Sequence, residues 1–266
     1  MIKLVAADMD GTLLDSEKRV PQELEQVVRA LWAKGVRFVI ASGRQVASLV
    51  QDMGEIADEL TYIAENGAVI VDKGETIFVD SMDKGDVRRV LEKTRGLKGM
   101  HAVICCPDRA VIEESAPLEF RRNVQMYYVS SQVVPDLLKE LENIDAVCKM
   151  AFYDEGDAEH HEYPILDEMF SGELSVILSS YSWVDIMKPG THKGRGMRTL
   201  QSLLGVSPEA CMAFGDYFND IELLESVSES YAMGNALPEV KAAARYIAPT
   251  NDENGVMRVV KERFGL

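Results

Sequence analysis

The chain is short of positive charge, of cysteine and of tryptophan, and it has no long apolar run. Its 28 Lys and Arg stand against 44 Asp and Glu, a net charge of −16 with His neutral. A nucleic-acid binder needs a basic face to displace counterions from phosphates, and an anionic membrane repels a chain of this sign. No apolar stretch approaches about 18 residues, and the opening MIKLVAADMDG reaches an acid by position 8. Neither a membrane-spanning helix nor a signal peptide is therefore expected. Four cysteines form no CxxC pair. Adjacent Cys105 and Cys106 inside an apolar run read as small buried side chains in a reducing compartment. The phosphate-binding pattern GxxxxGK[ST] is absent, which argues against a P-loop nucleotidase. What the chain does have is 266 residues, 47% of them apolar, enough for one large domain or two modest ones. The expectation is an acidic cytoplasmic protein, a monomer or small homo-oligomer, with no nucleic-acid or membrane partner.

Apolar runs alternate with helical patterns from the start. Ile2 to Ala7 and Val36 to Ala41 are nearly all apolar, as suits strands buried on both faces of a parallel sheet. Between them Leu24, Val27, Val28 and Leu31 fall at helical spacing, with Pro21 before and Gly35 after. A helix to about Met53, a strand at 62–64 and a hairpin around Lys73-Gly74 continue the pattern. The βαβαβ order implies a doubly wound, Rossmann-like parallel sheet. From about 83 to 186 the texture becomes strand-rich, with strands expected near 101–106, 110–114, 126–130, 146–152, 174–179 and 183–187. Helices are expected over 83–95 and near 132–143. This block reads as an inserted α+β cap domain, leaving 1–82 and 187–266 as the core.

Three polar clusters each follow an apolar strand: Asp8-Met9-Asp10-Gly11-Thr12, Ser42-Gly43-Arg44 and Gly215-Asp216-Tyr217-Phe218-Asn219-Asp220. Ligands of open parallel sheets bind outside the carboxyl ends of the strands, so the three would converge on one crevice. Residues at i and i+2 of an extended chain point the same way, which would let Asp8 and Asp10 face one reacting group. With Asp216 and Asp220 alongside, four acids would need a cation, and hard oxygen ligands suit Mg²⁺.

DMDGTLL at 8–14, ASGR at 41–44, the Lys193-Gly194 pair and GDYFND at 215–220 resemble the four ordered motifs of the haloacid dehalogenase superfamily. The insertion before the third motif, with GxxKG at 190–194, resembles the Cof-type sugar-phosphatase group and its large α/β (C2B-like) cap. AENGA at 64–68, AMGNA at 232–236 and TNDENGV at 250–256 are further local matches. The resemblance implies Asp8 as nucleophile, forming an aspartyl-phosphate, and Asp10 as acid toward the leaving alcohol and base toward water. It implies Mg²⁺ on the carboxylates of Asp8 and Asp216 and the backbone carbonyl of Asp10. Ser42, Gly43, Lys193 and Asn219 would hold the phosphoryl oxygens, and Asp220 would orient Lys193 or a metal-bound water. A dehalogenase of the superfamily lacks the second aspartate, so Asp10 favours phosphoryl transfer. The implied substrate is a small phosphorylated metabolite: a sugar phosphate, flavin mononucleotide or pyridoxal phosphate. A phosphomutase shares both acids, and a phospho-ligand-binding protein is a further alternative.

Each residue also has a plainer reading. Asp10-Gly11 makes a turn with Asp8 as a cap; Ser42 caps a helix; Lys193 is a solvated lysine at a helix start. Tyr217 and Phe218 are expected to pack against the flanking helix, with one of them lining the pocket as the alternative, and Glu65-Asn66-Gly67 to be a tight turn or a substrate contact. His160-His161-Glu162 lies in the stretch 154–173, which has eight acids and no Lys or Arg, and reads first as a solvated face and second as a surface metal site. Arg109, Arg121, Arg122, Tyr127 and Tyr128 are the residues from which cap specificity would be drawn.

Overall fold

In the computed structural model, which describes residues 1–154 and 156–266 (the side chain of Ser180 apart), the chain forms two compact units. One comprises Met1–Arg44, Leu49–Phe78 and His192–Leu266; the other comprises Gln45–Ser48 and Val79–Thr191.

From the N-terminus the chain forms β1 (Leu4–Ala7), α1 (Leu24–Ala33), β2 (Arg37–Ala41), α2 (Val46–Met53), β3 (Thr61–Ala64), β4 (Val69–Asp72) and β5 (Glu75–Val79), all in the first unit but for residues 46–48 of α2 and Val79 of β5. The second holds α3 (Lys84–Thr94), β6 (Ala102–Cys105), β7 (Ala110–Glu113), α4 (Leu118–Tyr127), β8 (Ser131–Val134), α5 (Leu137–Glu140), β9 (Lys149–Tyr153), α6 (Glu162–Phe170), β10 (Ser175–Ser180) and β11 (Trp183–Met187). The chain then returns to the first with α7 (Lys193–Leu204), β12 (Cys211–Gly215), α8 (Ile221–Glu225), β13 (Glu229–Ala232), α9 (Pro238–Ala243), β14 (Tyr246–Ile247) and α10 (Gly255–Phe264).

The sheet of the first unit runs β14-β13-β12-β1-β2-β3-β4-β5 and is parallel from β14 to β3, with β4 antiparallel to β3. Every residue of β1 is buried, because helices cover both faces of such a sheet. In α1, the four apolar positions at helical spacing are the buried ones. Strand order advances one way from β1 to β2 and the other way from β12 to β13. The reversal falls between β1 and β12, whose registers pair Ala7 with Phe214. The crevice of a doubly wound sheet opens at that point.

The sheet of the second unit runs β10-β11-β9-β6-β7-β8. It is antiparallel except where β7 and β8 run parallel. Alternation along the strands gives it two apolar faces. Ile104, Val111, Met150, Phe152, Val184 and Ile186 share a core with residues of α3, α5 and α6. Val103, Cys105, Ile112, Ala151 and Trp183 share the other with Phe120 and Val124 of α4.

Here two sequence expectations fail. Residues 126–127, expected in a strand, end α4, and the region expected to be helical from 132 begins with β8. Pairing of Ser131–Val134 with Ala110–Glu113 overrides local pattern, a tertiary effect that periodicity does not carry. The acidic stretch contains α6, which buries Leu166 and Phe170 beneath its charged positions; Glu155 of that stretch lies outside the described residues. All four cysteines are buried, and no helix among the described residues is long and apolar enough to cross a membrane.

Candidate active site

Beyond β1 the amide of Asp8 still donates to Phe214 O at 3.1 Å, extending the β1–β12 ladder by one bond. The chain then leaves the sheet in one wide, kinked turn, with Leu13 N donating to Asp8 O (3.1 Å) and Leu14 N to Met9 O (2.9 Å). Gly11 makes that turn with φ +78°, and a Cβ there would fall inside van der Waals contact of the Asp216 carboxylate. Thr12 Oγ1 donates to Asp216 Oδ1 at 2.6 Å. Asn235 and Asn251 brace the same loop from the far side, donating to the carbonyls of Gly11 (2.8 Å) and Leu14 (2.9 Å).

Lys193 opens α7, where the side chain of His192 accepts from Arg195 N and caps the helix. Its Nζ donates to Asp8 Oδ1 and to Asp220 Oδ1, both at 2.6 Å, and it is 1% exposed. Asp220 Oδ2 accepts from the amides of Asp216 (2.9 Å) and Tyr217 (3.2 Å), so this carboxylate ties the lysine to the loop after β12. The close approach is permitted by Gly194, since any Cβ there would collide with Glu222 O of α8. The solvated reading of Lys193 is thereby excluded.

Burial opposes charge on Lys193, Asp8 and Asp216. Burial alone would discharge Lys193; Asp220 and Asp8 outweigh it and hold the ammonium charged. Asp8 is pushed up to about 8 by burial and by Asp220, against the pull of Lys193. Asp216 is pushed up to about 6, by burial first, with the Thr12 hydrogen bond opposing.

Asp10 behaves differently from the i, i+2 expectation. The chain is kinked between Asp8 and Leu13, with Asp10 itself extended (φ −79°, ψ 119°) and Gly11 left-handed, and the two side chains engage different cations. Asp10, 40% exposed, accepts from Lys18 Nζ at 2.7 Å and from Arg44 Nε and Nη2 at 2.8 and 2.6 Å. Burial works to raise it, but the hydrogen bonds and charges of Arg44 and Lys18 prevail and hold it below its ordinary value. Asp8 receives no side-chain role as a cap.

Asn66, at φ +53° in the Glu65-Asn66-Gly67 turn, is where the remaining positions meet. Its amide donates to Ser42 O at 3.0 Å, its Oδ1 accepts from Asn219 Nδ2 at 3.4 Å, and a Cβ at Gly43 would press on its side chain. Ser42 is buried and accepts from Arg44 N at 3.2 Å. Tyr217 and Phe218 do not pack against the helix as expected: both are about half exposed and meet edge-on at 5.3 Å.

Asp8, Asp216 and Asp220 each place a carboxylate oxygen within 4.8 Å of the others. Three carboxylates against the one ammonium leave two negative charges, which adds to burial in holding Asp8 and Asp216 above their ordinary values. Asp220 already spends both oxygens on Lys193 and two amides. The hard oxygens of Asp8 and Asp216 therefore fit a divalent cation in charge and in donor type.

Residues 5–260 match the family of haloacid dehalogenase-like hydrolases. The chain belongs to that family. It is 32% identical over 260 residues, 97% of this chain and 95% of the relative, to the 5-amino-6-(5-phospho-D-ribitylamino)uracil phosphatase YbjI of Escherichia coli K12. Two solved structures share its fold over nearly the whole of both chains. BT1666 of Bacteroides thetaiotaomicron, a phosphatase of the superfamily, has a TM-score of 0.79 at 27% identity and covers 100% of this chain and 96% of its own. The subclass IIB sugar phosphatase BT4131 has a TM-score of 0.76 at 26% identity and covers 99% of each. Members of the family generally use a divalent metal, and the acidic cluster can hold one.

Of the expected site residues, Asp8, Lys193, Asp216 and Asp220 form one contiguous group, and Ser42, Gly43 and Asn219 gather about Asn66. Thr12, Lys18, Asn235 and Asn251 had no assigned part. Thr12, Asn235 and Asn251 lie inside DMDGTLL, AMGNA and TNDENGV, so those motifs already carried the signal. Lys18 carried none.

Proposed function

We propose that this HAD-family phosphatase hydrolyses small phosphomonoesters, sugar and polyol phosphates foremost, with Asp8 as nucleophile and Mg²⁺ as cofactor. The observation that carries the reading is the buried Lys193, bound at once to Asp8 and Asp220 at the sheet's switch point. Asp8 attacks phosphorus in line, the P–O bond to the alcohol breaks, and an aspartyl-phosphate forms. Asp10 gives its proton to the departing alkoxide and takes one from the water that cleaves the aspartyl-phosphate. Lys193 places positive charge beside the transferring group, and the Ser42 hydroxyl and Gly43 amide are the further donors toward it. Asp8, Asp216 and the Asp10 carbonyl would hold the metal. Bound there, Mg²⁺ lowers the repulsion between an anionic nucleophile and a phosphate dianion.

The substrate class rests on the relatives, whose substrates carry a phosphorylated ribityl chain or a sugar. The test is inorganic phosphate release from a panel of sugar, polyol, flavin and pyridoxal phosphates, with Mg²⁺ and with EDTA. Metal-dependent release, strongest on the sugar and polyol phosphates, is expected. Interconversion of sugar phosphate isomers without release would replace hydrolysis by a mutase reaction.

A further inference from the structure

The second unit carries its own cluster of potential ligands, with no residue in common with the active site. Asp154 follows β9, and His161 and Glu162 stand at the start of α6. Each offers one donor atom, and the three donors lie within 4.8 Å of one another. Asp154 is held in place from its own loop: Oδ1 accepts the amides of Gly156 and Asp157, and Oδ2 pairs with His161 Nδ1 at 2.7 Å. Glu162 is the unusual member. It is 7% exposed, and its Oε2 is buried with no hydrogen-bond donor among the described residues. A carboxylate oxygen rarely accepts burial without a donor. Asp154 faces it and is ionised, so without a cation the two acids can meet only through a proton held on Glu162 itself, whose place a metal ion would take.

We propose that Asp154, His161 and Glu162 form a binding site for one divalent transition-metal ion of the Zn²⁺ type. Two carboxylates match a dication in charge, and the ion supplies what Glu162 Oε2 otherwise lacks. The imidazole sets the metal class, because Mg²⁺ and Ca²⁺ prefer an all-oxygen shell while Zn²⁺ takes mixed nitrogen and oxygen donors. Three protein donors leave a position for water. The ion ties the segment after β9 to the first turn of α6, a span that contains eight acids between 154 and 173 and no Lys or Arg. Bound metal would offset that local repulsion.

The test is equilibrium dialysis of the full chain against Zn²⁺, with metal counted by mass spectrometry. An Asp216→Asn background disables the active-site cluster, so the count reports the second site. Roughly one ion per chain is expected to remain in Asp216→Asn and to be lost when either His161→Ala or Glu162→Gln is added. His161 is exposed, so its replacement leaves the fold intact and Mg²⁺-dependent phosphatase activity unchanged in the otherwise wild-type chain. Zn²⁺ should also raise the melting temperature of Asp216→Asn but not of the Asp216→Asn, Glu162→Gln double variant. Failure of Asp216→Asn to bind Zn²⁺, or retention of the ion after either added substitution, overturns the assignment.

Discussion

Lys193 Nζ and Asp8 Oδ1 stand 2.6 Å apart in a site almost closed to water, and Asp220 takes a second hydrogen bond from the same ammonium. The contact does two things at once. It keeps charge on a lysine that burial would neutralise, and it fixes the rotamer of a carboxylate that must attack along one line. Replacing Lys193 by Met strands two buried carboxylates, and loss of one partner of a buried pair costs about 3–5 kcal/mol. Urea denaturation of Lys193→Met should show a loss of that order, with phosphate release abolished. A variant of wild-type stability would remove the electrostatic account of the site.

Metal affinity should depend on pH. Asp8 and Asp216 are raised to about 8 and about 6, so at neutral pH a proton occupies Asp8, and below about pH 6 Asp216 is protonated as well. Because metal binding must expel those protons, affinity rises with pH between about 6 and 8 and protons are released on binding. Titration calorimetry in buffers of different ionisation enthalpy measures that release directly. Mg²⁺ binding with no proton release at pH 6.5 would contradict the crowding argument.

Gly11→Ala should weaken metal binding more than it weakens the fold. Its Cβ would press on the Asp216 carboxylate at a backbone φ of +78°. Strain of this kind costs about 1–3 kcal/mol, and displacement of one metal donor should lower Mg²⁺ affinity by about tenfold or more. Affinity from activity against Mg²⁺ concentration, set beside a thermal melt, separates the two effects.

Lys18 and Arg44 hold Asp10 below its ordinary value, whereas the proposed acid must carry a proton when the alcohol leaves. Removing one of these cations should raise Asp10 toward its ordinary value, only modestly in the case of Lys18 because that side chain is largely exposed. The protonated fraction then persists to higher pH, so the alkaline limb of kcat/KM for Lys18→Met should move upward. A limb that stays fixed, or moves down, would place the general acid elsewhere.

How far the site was legible in the sequence depended on whether its parts were local. Asp8, Ser42 and Asp216 each follow a short apolar strand, and the doubly wound order places such strand ends together without further information. Lys193 was legible only through the GxxKG resemblance, because a lysine at a helix start is normally solvated; its burial follows from Gly194 admitting α8 at close range. The partners of Asp10 were not legible, since its ion pairs with Lys18 and Arg44 are set by the kinked loop after β1 and by the turn after β2, not by local spacing. In the second unit, strands beside apolar neighbours were readable by alternation. Helix α4 was not: polar Arg121, Arg122 and Asn123 separate its two buried anchors, Phe120 and Val124. Glu162 was hidden for a related reason, as an acid in an acidic stretch gives no sign of being buried.

The central claim is that Asp8 takes the phosphoryl group. Rapid acid quench of the enzyme with a phosphate-labelled substrate, followed by peptide mass spectrometry, tests it most directly. The account predicts a trapped acyl-phosphate on the peptide containing Asp8, absent in Asp8→Asn, whose turnover should fall by about a thousandfold or more. Label on another residue, or undiminished turnover by Asp8→Asn, would contradict it.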